Sequence, residues 1–276
     1  MEEQGTLYII ATPLGNDADL SPRAAKLLEE VDILLAEDTR RTGLLLSRLG
    51  ISRDGGFVSC HDHNEEQRIS LVKDALAAGK QIGLVSDAGT PVVSDPGYRL
   101  VGACRKDGFN VHPVPGPCAP VTALSACGLP PHPFTFLGFM PRKAGQIKNL
   151  FSKHGPVGTT LVFFDRKSRV HDTLGIAAEV LGKREFCIAR ELTKDYEEFV
   201  YGELDNPASW PKELRGELTI IIGPPDESEE SSEEQAKVVL AEEQANGGKP
   251  KEISRRAAER LNGWTSKELY ALLREI

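Results

Sequence analysis

The sequence predicts an α/β fold of two lobes with a small helical appendage, on three observations. Short apolar runs alternate with amphipathic stretches through residues 1–115, the pattern of a mostly parallel sheet. After the breaks Pro115-Gly116-Pro117 and Gly128-Leu129-Pro130-Pro131, a second set of strands and helices follows. Beyond the acidic run 226–234, two short amphipathic helices close the chain. The expected divisions are an N-terminal lobe at 1–118, a C-terminal lobe at 119–225, an acidic linker at 226–249 and a helical domain at 250–276.

In the first lobe, residues 7–11 read as a strand that ends in the turn Thr12-Pro13-Leu14-Gly15-Asn16. Ser21-Pro22 starts a helix, with a hydroxyl cap followed by proline at the first helical position. Residues 31–36 are a buried strand leading into Glu37-Asp38-Thr39-Arg40, and 57–60 form a weaker one. Asn64 opens a helix whose Ile69, Val72 and Leu76 share a face. Residues 82–85 are a third apolar strand, and Asp95-Pro96 reads as the start of a helix running to Gly108. Between them lies a loop of small residues carrying carboxylates and hydroxyls, at the strand end where open α/β sheets bind small molecules. Residues 110–114 complete the sheet.

In the second lobe, strands are expected at 134–139, 159–164, 186–189 and 218–222, with a helix at 170–181. The closeness of 197–203 and 216–222 in sequence suggests an antiparallel pair. The Phe134/Phe136 alternation reads as core. The run Asp226 to Glu234 has six acids and no base, so most of the formal charge of −8 sits there. It follows Gly223-Pro224-Pro225, lacks apolar periodicity and reads as a solvated linker. Net charge therefore neither supports nor excludes a nucleic-acid partner. In the last segment Ile253, Ala257 and Leu261 share one face and Leu269, Leu273 and Ile276 another, with capping-box spacing at Thr265 and Glu268. A helix-turn-helix and a packing cap both fit this pattern.

Several function classes are excluded. No apolar run approaches the roughly 20 residues that span a bilayer, and the acidic Met1-Glu2-Glu3-Gln4 is unlike a secretory leader. The five cysteines are scattered without a CxxC pair, so a reduced, cytoplasmic protein is expected rather than a disulfide framework or zinc site. The first turn is not GxGxxG, and its Pro13 removes a donor that a pyrophosphate would need. No GxxxxGK[ST], GxSxG or HExxH occurs. A ligand without phosphate is implied, and a nucleoside joined to an amino acid, such as S-adenosylmethionine, suits the loops.

A resemblance now becomes specific. Leu7-Tyr8-Ile9-Ile10-Ala11-Thr12-Pro13-Leu14-Gly15-Asn16, Ala36-Glu37-Asp38-Thr39-Arg40, His61-Asp62-His63-Asn64-Glu65-Glu66, Ser86-Asp87-Ala88-Gly89-Thr90-Pro91, Ser94-Asp95-Pro96-Gly97 and Pro115-Gly116-Pro117 occur in order. Gly138-Phe139-Met140-Pro141-Arg142-Lys143 and Ala189-Arg190-Glu191-Leu192-Thr193-Lys194 continue the series. Together they resemble the ribosomal RNA small subunit methyltransferase I family, of the tetrapyrrole-methylase fold class. The resemblance covers residues 7–222 and extends to the C-terminal helical pair. It implies two α/β lobes of the tetrapyrrole-methylase type, a homodimer, and 2'-O-methylation of a cytidine in 16S rRNA, free or in the 30S subunit. It implies S-adenosylmethionine against Leu14, Asp87, Ala88, Gly89, Thr90, Val93, Cys118, Ala119 and Phe164, with no metal.

Two departures from the family pattern stand out: Cys118 and Cys127 in place of serine, and Asp165-Arg166-Lys167-Ser168-Arg169 on the rim of the second lobe. The two extra bases there suit an RNA phosphate. A methyl transfer to a hydroxyl needs a proton acceptor. Glu37, Asp38, His63 and Asp87 are candidates near strand ends. Asp38 reads equally as a helix cap, and His61 with His63 as a hydrogen-bonded turn. Arg40, Arg41, Asn64, Arg142 and Lys143 are the expected substrate contacts, the arginines and lysine through phosphate, although Asn64 also reads as a cap. The rivals are a tetrapyrrole C-methyltransferase, which shares the fold, and a non-catalytic RNA-binding assembly factor.

Overall fold

The computed structural model describes residues 4–225 and 231–274. Its first sheet holds β1 (Thr6–Ile10), β2 (Ile33–Ala36), β3 (Gly56–Ser59), β4 (Ile82–Val85) and β5 (Asn110–Val114) in the order β3-β2-β4-β1-β5. Every pairing is parallel. β4 is buried along its whole length, as an apolar run covered on both faces must be. Gly83 is needed there because a Cβ would sit 2.9 Å from Leu34 Cδ1 and 3.0 Å from Ile10 Cδ1.

The connecting helices are α1 (Pro22–Glu30), α2 (Thr39–Arg48), α3 (Glu65–Ala77) and α4 (Tyr98–Lys106). Leu28, Leu34, Ile10 and Leu46 form the core on the α1/α2 face; Val72, Leu76, Leu84 and Leu100 form it on the α3/α4 face. α1 begins as expected, with the Ser21 hydroxyl accepting from the Ala24 N–H. α4 does not begin at Pro96. Its cap is Gly97 at φ 119°, where a Cβ would meet Leu84 Cδ2 at 2.6 Å. The buried Glu65 carboxylate, from the neighbouring α3, accepts the Leu100 N–H at 2.8 Å. A side chain from another helix thus satisfies one of the amides left open at this terminus. Asp95 is released from capping.

The second sheet holds β6 (Phe134–Phe139), β7 (Thr160–Arg166), β8 (Glu185–Arg190), β9 (Glu198–Glu203) and β10 (Glu217–Ile222), ordered β6-β7-β10-β8-β9. β6 and β7 are parallel; the remaining pairs are antiparallel. The expected pairing of 197–203 with 216–222 does not form. β10 is buried from Leu218 to Ile222 and inserts between β7 and β8, whereas β9, half-exposed throughout, takes the edge. α6 (Ala144–His154) and α7 (Val170–Leu181) pack Ile147, Phe151 and Leu174 on one face of this sheet. The small-residue helix α5 (Ala119–Ala126) joins the sheets and packs Ala123 and Leu124 on the other face. α6 was not anticipated from the sequence. Phe136 packs into the core beside α5, as expected, but Phe134 is exposed.

Residues 225–276 cluster as a unit separate from 1–224. The linker expected at 226–249 is in large part a helix. Residues 226–230 lie outside the described residues, but α8 (Glu233–Ala245) is helical throughout, with a Ser232/Gln235 capping box. The acids Glu233 and Glu234 occupy its first turn, where they favour the positive end of the helix dipole. Ala236 and Leu240, one turn apart, are buried against α9 (Pro250–Ala258) and α10 (Ser266–Leu272). Glu243 binds Arg256 at 2.8 Å and Arg260 at 2.6 Å, which pull its carboxyl down to about 2. Leu269 and Leu273 are buried as expected; Ile276 lies outside the described residues.

Candidate active site

Four loops leave the carboxyl edge of the first sheet together: 11–16 after β1, 37–38 after β2, 86–97 after β4 and 115–118 after β5. Their small residues let backbones touch. Thr12 and Gly89 exchange two backbone hydrogen bonds, at 2.9 and 3.0 Å. Gly89 has φ 82°, and a Cβ on Gly116 would lie 2.9 Å from Ala11 Cβ. The Thr90 hydroxyl donates to the Pro117 carbonyl at 2.9 Å. These loops and the second sheet enclose a cavity of about 800 Å³, in the size range of small-molecule sites. Leu14, Asp87, Ala88, Gly89, Thr90, Val93, Cys118, Ala119 and Phe164 all line it.

Backbone strain concentrates on both sides of this cavity. Val92 (φ 75°) and Ser94 (φ 67°) lie in the loop after β4; Glu191 (φ 49°) and Thr193 (φ 65°) lie in the loop after β8. A β-branched residue at positive φ costs on the order of 1–3 kcal/mol and persists only where surroundings enforce it. The two sides are strapped together. The Asn16 N–H donates to the Thr193 hydroxyl at 3.2 Å, and the Lys194 stem crosses Gly15 so closely that a Cβ there would be 2.2 Å from Lys194 Cγ. The Lys194 ammonium is held by Glu217 at 2.7 Å and Glu191 at 3.2 Å.

Among the described residues four carboxylates line the first wall: Asp17, which Arg48 engages, and the cluster Glu37, Asp87 and Asp95. Arg41 pairs with Asp87 at 2.6 Å, and the Asp87 N–H donates to Glu37 at 3.4 Å. Burial raises the Glu37 carboxyl, and the Asp87 charge adds to this. Asp95 is pushed up to about 6, first by burial and then by the charges of Glu37, Asp87 and Asp62, against a hydrogen bond from Ser86. Asp95 is one of the lining residues that sequence reasoning missed, with Arg48, Phe139 and Lys194. It was hidden because Ser94-Asp95-Pro96 imitates a helix start. The available signal was position: it shares one loop with Asp87.

Other candidates lie outside the cavity lining. Asp38 caps α2, accepting from the Arg40 and Arg41 N–H groups, and pairs with the exposed Arg40 side chain at 3.3 Å. His63 stacks edge-on against His61 at 6.0 Å. Asn64 spends its side chain on the same turn, accepting from the His61 N–H at 2.8 Å and donating to the Ser59 carbonyl at 3.2 Å. Arg142 and Lys143 are exposed at the start of α6. Of the predicted cationic contacts, Arg41 alone reaches the cavity, joined there by Arg48, Arg166, Lys167 and Lys194. Among the described residues, no group of three or more His, Cys, Asp or Glu side chains is placed to hold a metal ion.

An open parallel sheet whose loops meet a second, mixed sheet over one cavity defines a class. Residues 6–208 match the family model of Tetrapyrrole (Corrin/Porphyrin) Methylases. The fold is similar to that of uroporphyrin-III C-methyl transferase from Thermus thermophilus complexed with S-adenyl homocysteine: TM-score 0.54, 20% identity, 79% of this chain and 97% of that one. Among sequence relatives, the ribosomal RNA small subunit methyltransferase I of Halalkalibacterium halodurans is 44% identical over 80% of this chain and 76% of its own. That of Haemophilus influenzae is 37% identical over 96% and 95%. The chain belongs to the ribosomal RNA small subunit methyltransferase I family.

Proposed function

We propose that this protein transfers a methyl group from S-adenosylmethionine to the 2'-oxygen of a cytidine ribose in 16S rRNA. One observation carries the reading beyond family membership: the cavity joins apolar side chains to the cluster Glu37, Asp87 and Asp95, on loops that carry no glycine-rich phosphate-binding motif. Leu14, Ala88, Val93, Ala119 and Phe164 supply surface for an uncharged nucleoside, and the carboxylates favour the positive sulfonium and ammonium of this cofactor. The residues present therefore fit it. When bound, S-adenosylmethionine supplies an electrophilic methyl carbon, so the chain has to position, exclude water and accept a proton.

Asp95 is the proton acceptor in this reading. Its carboxyl, with a pKa near 6, is ionised at neutral pH yet more basic than an ordinary aspartate, which is what a general base requires. Arg41 holds Asp87 in place, and Asp87 in turn keeps Asp95 and Glu37 in a negative field. The Lys194 strap over Gly15 keeps the two walls together while the hydroxyl proton moves to the Asp95 carboxylate. A tetrapyrrole substrate is disfavoured because relatives named for ribosomal RNA align over nearly the whole chain.

Among the described residues no helix is long and apolar enough to cross a membrane. A cytoplasmic homodimer is the state proposed, from the family resemblance, and light scattering tests its mass. The function is tested with small ribosomal subunits from cells lacking this chain. Addition of protein and methyl-labelled cofactor is expected to place label on one 16S cytidine ribose, found by mass mapping. Label on a base, or none, rejects the proposal.

A further inference from the structure

The second wall of the cavity differs from the first in charge and chemistry. Of the five cations that line the cavity among the described residues, three are neutralised: Arg41 by Asp87, Arg48 by Asp17, and Lys194 by Glu191 and Glu217. Arg166 and Lys167 have no acidic partner among the described residues, and both are exposed. Glu217 stands opposite Arg166 in the strand register, but its carboxylate is engaged by Lys194. Two unpaired cations at the mouth of a cavity attract an anion.

Beside them lies a bare aromatic ring. Phe139, the last residue of β6, is 61% exposed, yet it lines the cavity and rests on Phe164 with ring centroids 5.0 Å apart. Phe164 is backed in turn by Phe136 at 5.2 Å. Phe139 and Phe164 are register partners, and Arg166 follows Phe164 by two residues, on the same face of β7. Ring and cations therefore share one wall.

That wall is held rigid from behind. The Asp165 side chain is fully buried and accepts from the Arg166 N–H at 2.8 Å, from Arg169 at 2.7 Å and from the Thr173 hydroxyl at 2.5 Å. Arg169 also donates to the carbonyls of Met140 and Pro141, at 3.3 and 3.1 Å. A buried network thus ties the Arg166–Lys167 turn to the end of β6 that presents Phe139. Such support is what a pre-organised binding site needs.

We propose that Phe139, Arg166 and Lys167 form a single-stranded nucleotide subsite, the ring stacking a base and the two cations holding an adjoining phosphate. Base stacking on an aromatic face tolerates any base, and backbone contacts position without reading sequence, so the subsite supplies grip and register. The proposal rests on the RNA reading above and deepens it. It also assigns the RNA to the β6–β7 wall, opposite the carboxylates.

The test uses the full chain and a short fluorescein-labelled oligocytidylate, followed by anisotropy over a range of salt. Phe139→Ala is expected to weaken binding roughly 5- to 100-fold, with the salt slope unchanged, and Phe139→Trp to restore it. Arg166→Ala with Lys167→Ala is expected to lower the salt slope by about 0.7 for each phosphate that is no longer neutralised. Thermal midpoints report that each variant folds, and heats of S-adenosylmethionine binding report the donor side. Variants that fold and bind RNA like the wild type overturn the subsite while leaving the proposed function standing. A wild-type protein that binds the cofactor but not the oligocytidylate overturns the subsite, and the labelling of small subunits then decides the function separately.

Discussion

The two walls of the cavity are built by opposite means. On the first, four loops from a parallel sheet pack backbone against backbone and expose carboxylates: Glu37, Asp87 and Asp95. On the second, paired strands present Phe139 and Phe164, with Arg166 and Lys167 beyond them. The loop wall is small, acidic and strained at Val92 and Ser94; the strand wall is aromatic, basic and braced by buried Asp165. The contrast in charge gives each proposed partner its own side. A cationic donor suits the acid side and a polyanion the basic side, and the proposed reaction places the accepting oxygen between them.

Asp95 offers the largest effect with which to break this contrast. Asp95→Asn is expected to lower kcat about 100-fold or more, the usual scale for removal of a general base. In the wild type, kcat should rise with pH through about 6 as Asp95 ionises. Stability should move the other way. The folded chain holds the Asp95 proton to about 6 and the unfolded chain only to about 3.8, so ionisation costs stability as pH rises between those values. The asparagine variant should therefore melt higher than wild type at pH 8 and no higher at pH 3. An unchanged kcat with the same melting shift would make Asp95 a strained bystander.

The strap between the walls is the next target. Gly15→Val drives a side chain into the Lys194 stem, and overpacking of this kind costs about 1–3 kcal/mol. Denaturant unfolding measures that loss, and Gly15→Val with Lys194→Ala should recover most of it. Failure to recover would mean that Gly15 serves its own loop rather than the strap.

Smaller still is Arg41→Ala. The pair with Asp87 is exposed on the arginine side, so less than about 1 kcal/mol of stability is expected to go. Arg41 also lowers the Glu37 carboxyl, so its removal should move the Glu37 titration upward, as followed by carboxyl NMR. The least effect on catalysis belongs to Asp38→Ala, expected to leave kcat intact while removal of the cap lowers Tm by a few degrees. A collapsed kcat at unchanged Tm would return Asp38 to the chemistry.

The acid wall was the more legible of the two. Its strands are short apolar runs, and its loops are punctuated by proline, glycine and carboxylates that a sequence displays directly. What hid Asp95 was a local signal overruled by a tertiary one: Ser94-Asp95-Pro96 looks like a cap, but Glu65 from α3 supplies the acceptor instead. The basic wall was less legible, because Phe139 meets Phe164 and Arg166 only through the β6–β7 register. Lys194 over Gly15 is likewise a meeting of distant segments. α8 escaped because its acids, which suggest solvated charge, sit in the first turn of a helix whose apolar side is narrow: Ala236 and Leu240 are buried, with Val239 packed beside them.

The most direct test of the central claim, that the methyl donor sits in this cavity, is calorimetry of S-adenosylmethionine on wild type and Ala88→Trp. Ala88 is exposed and lines the cavity, so an indole there fills the space without disturbing the core. Saturable heat from the wild type, and none from a variant of unchanged Tm, is the predicted result. Equal binding by both proteins, or no binding by the wild type, would contradict it.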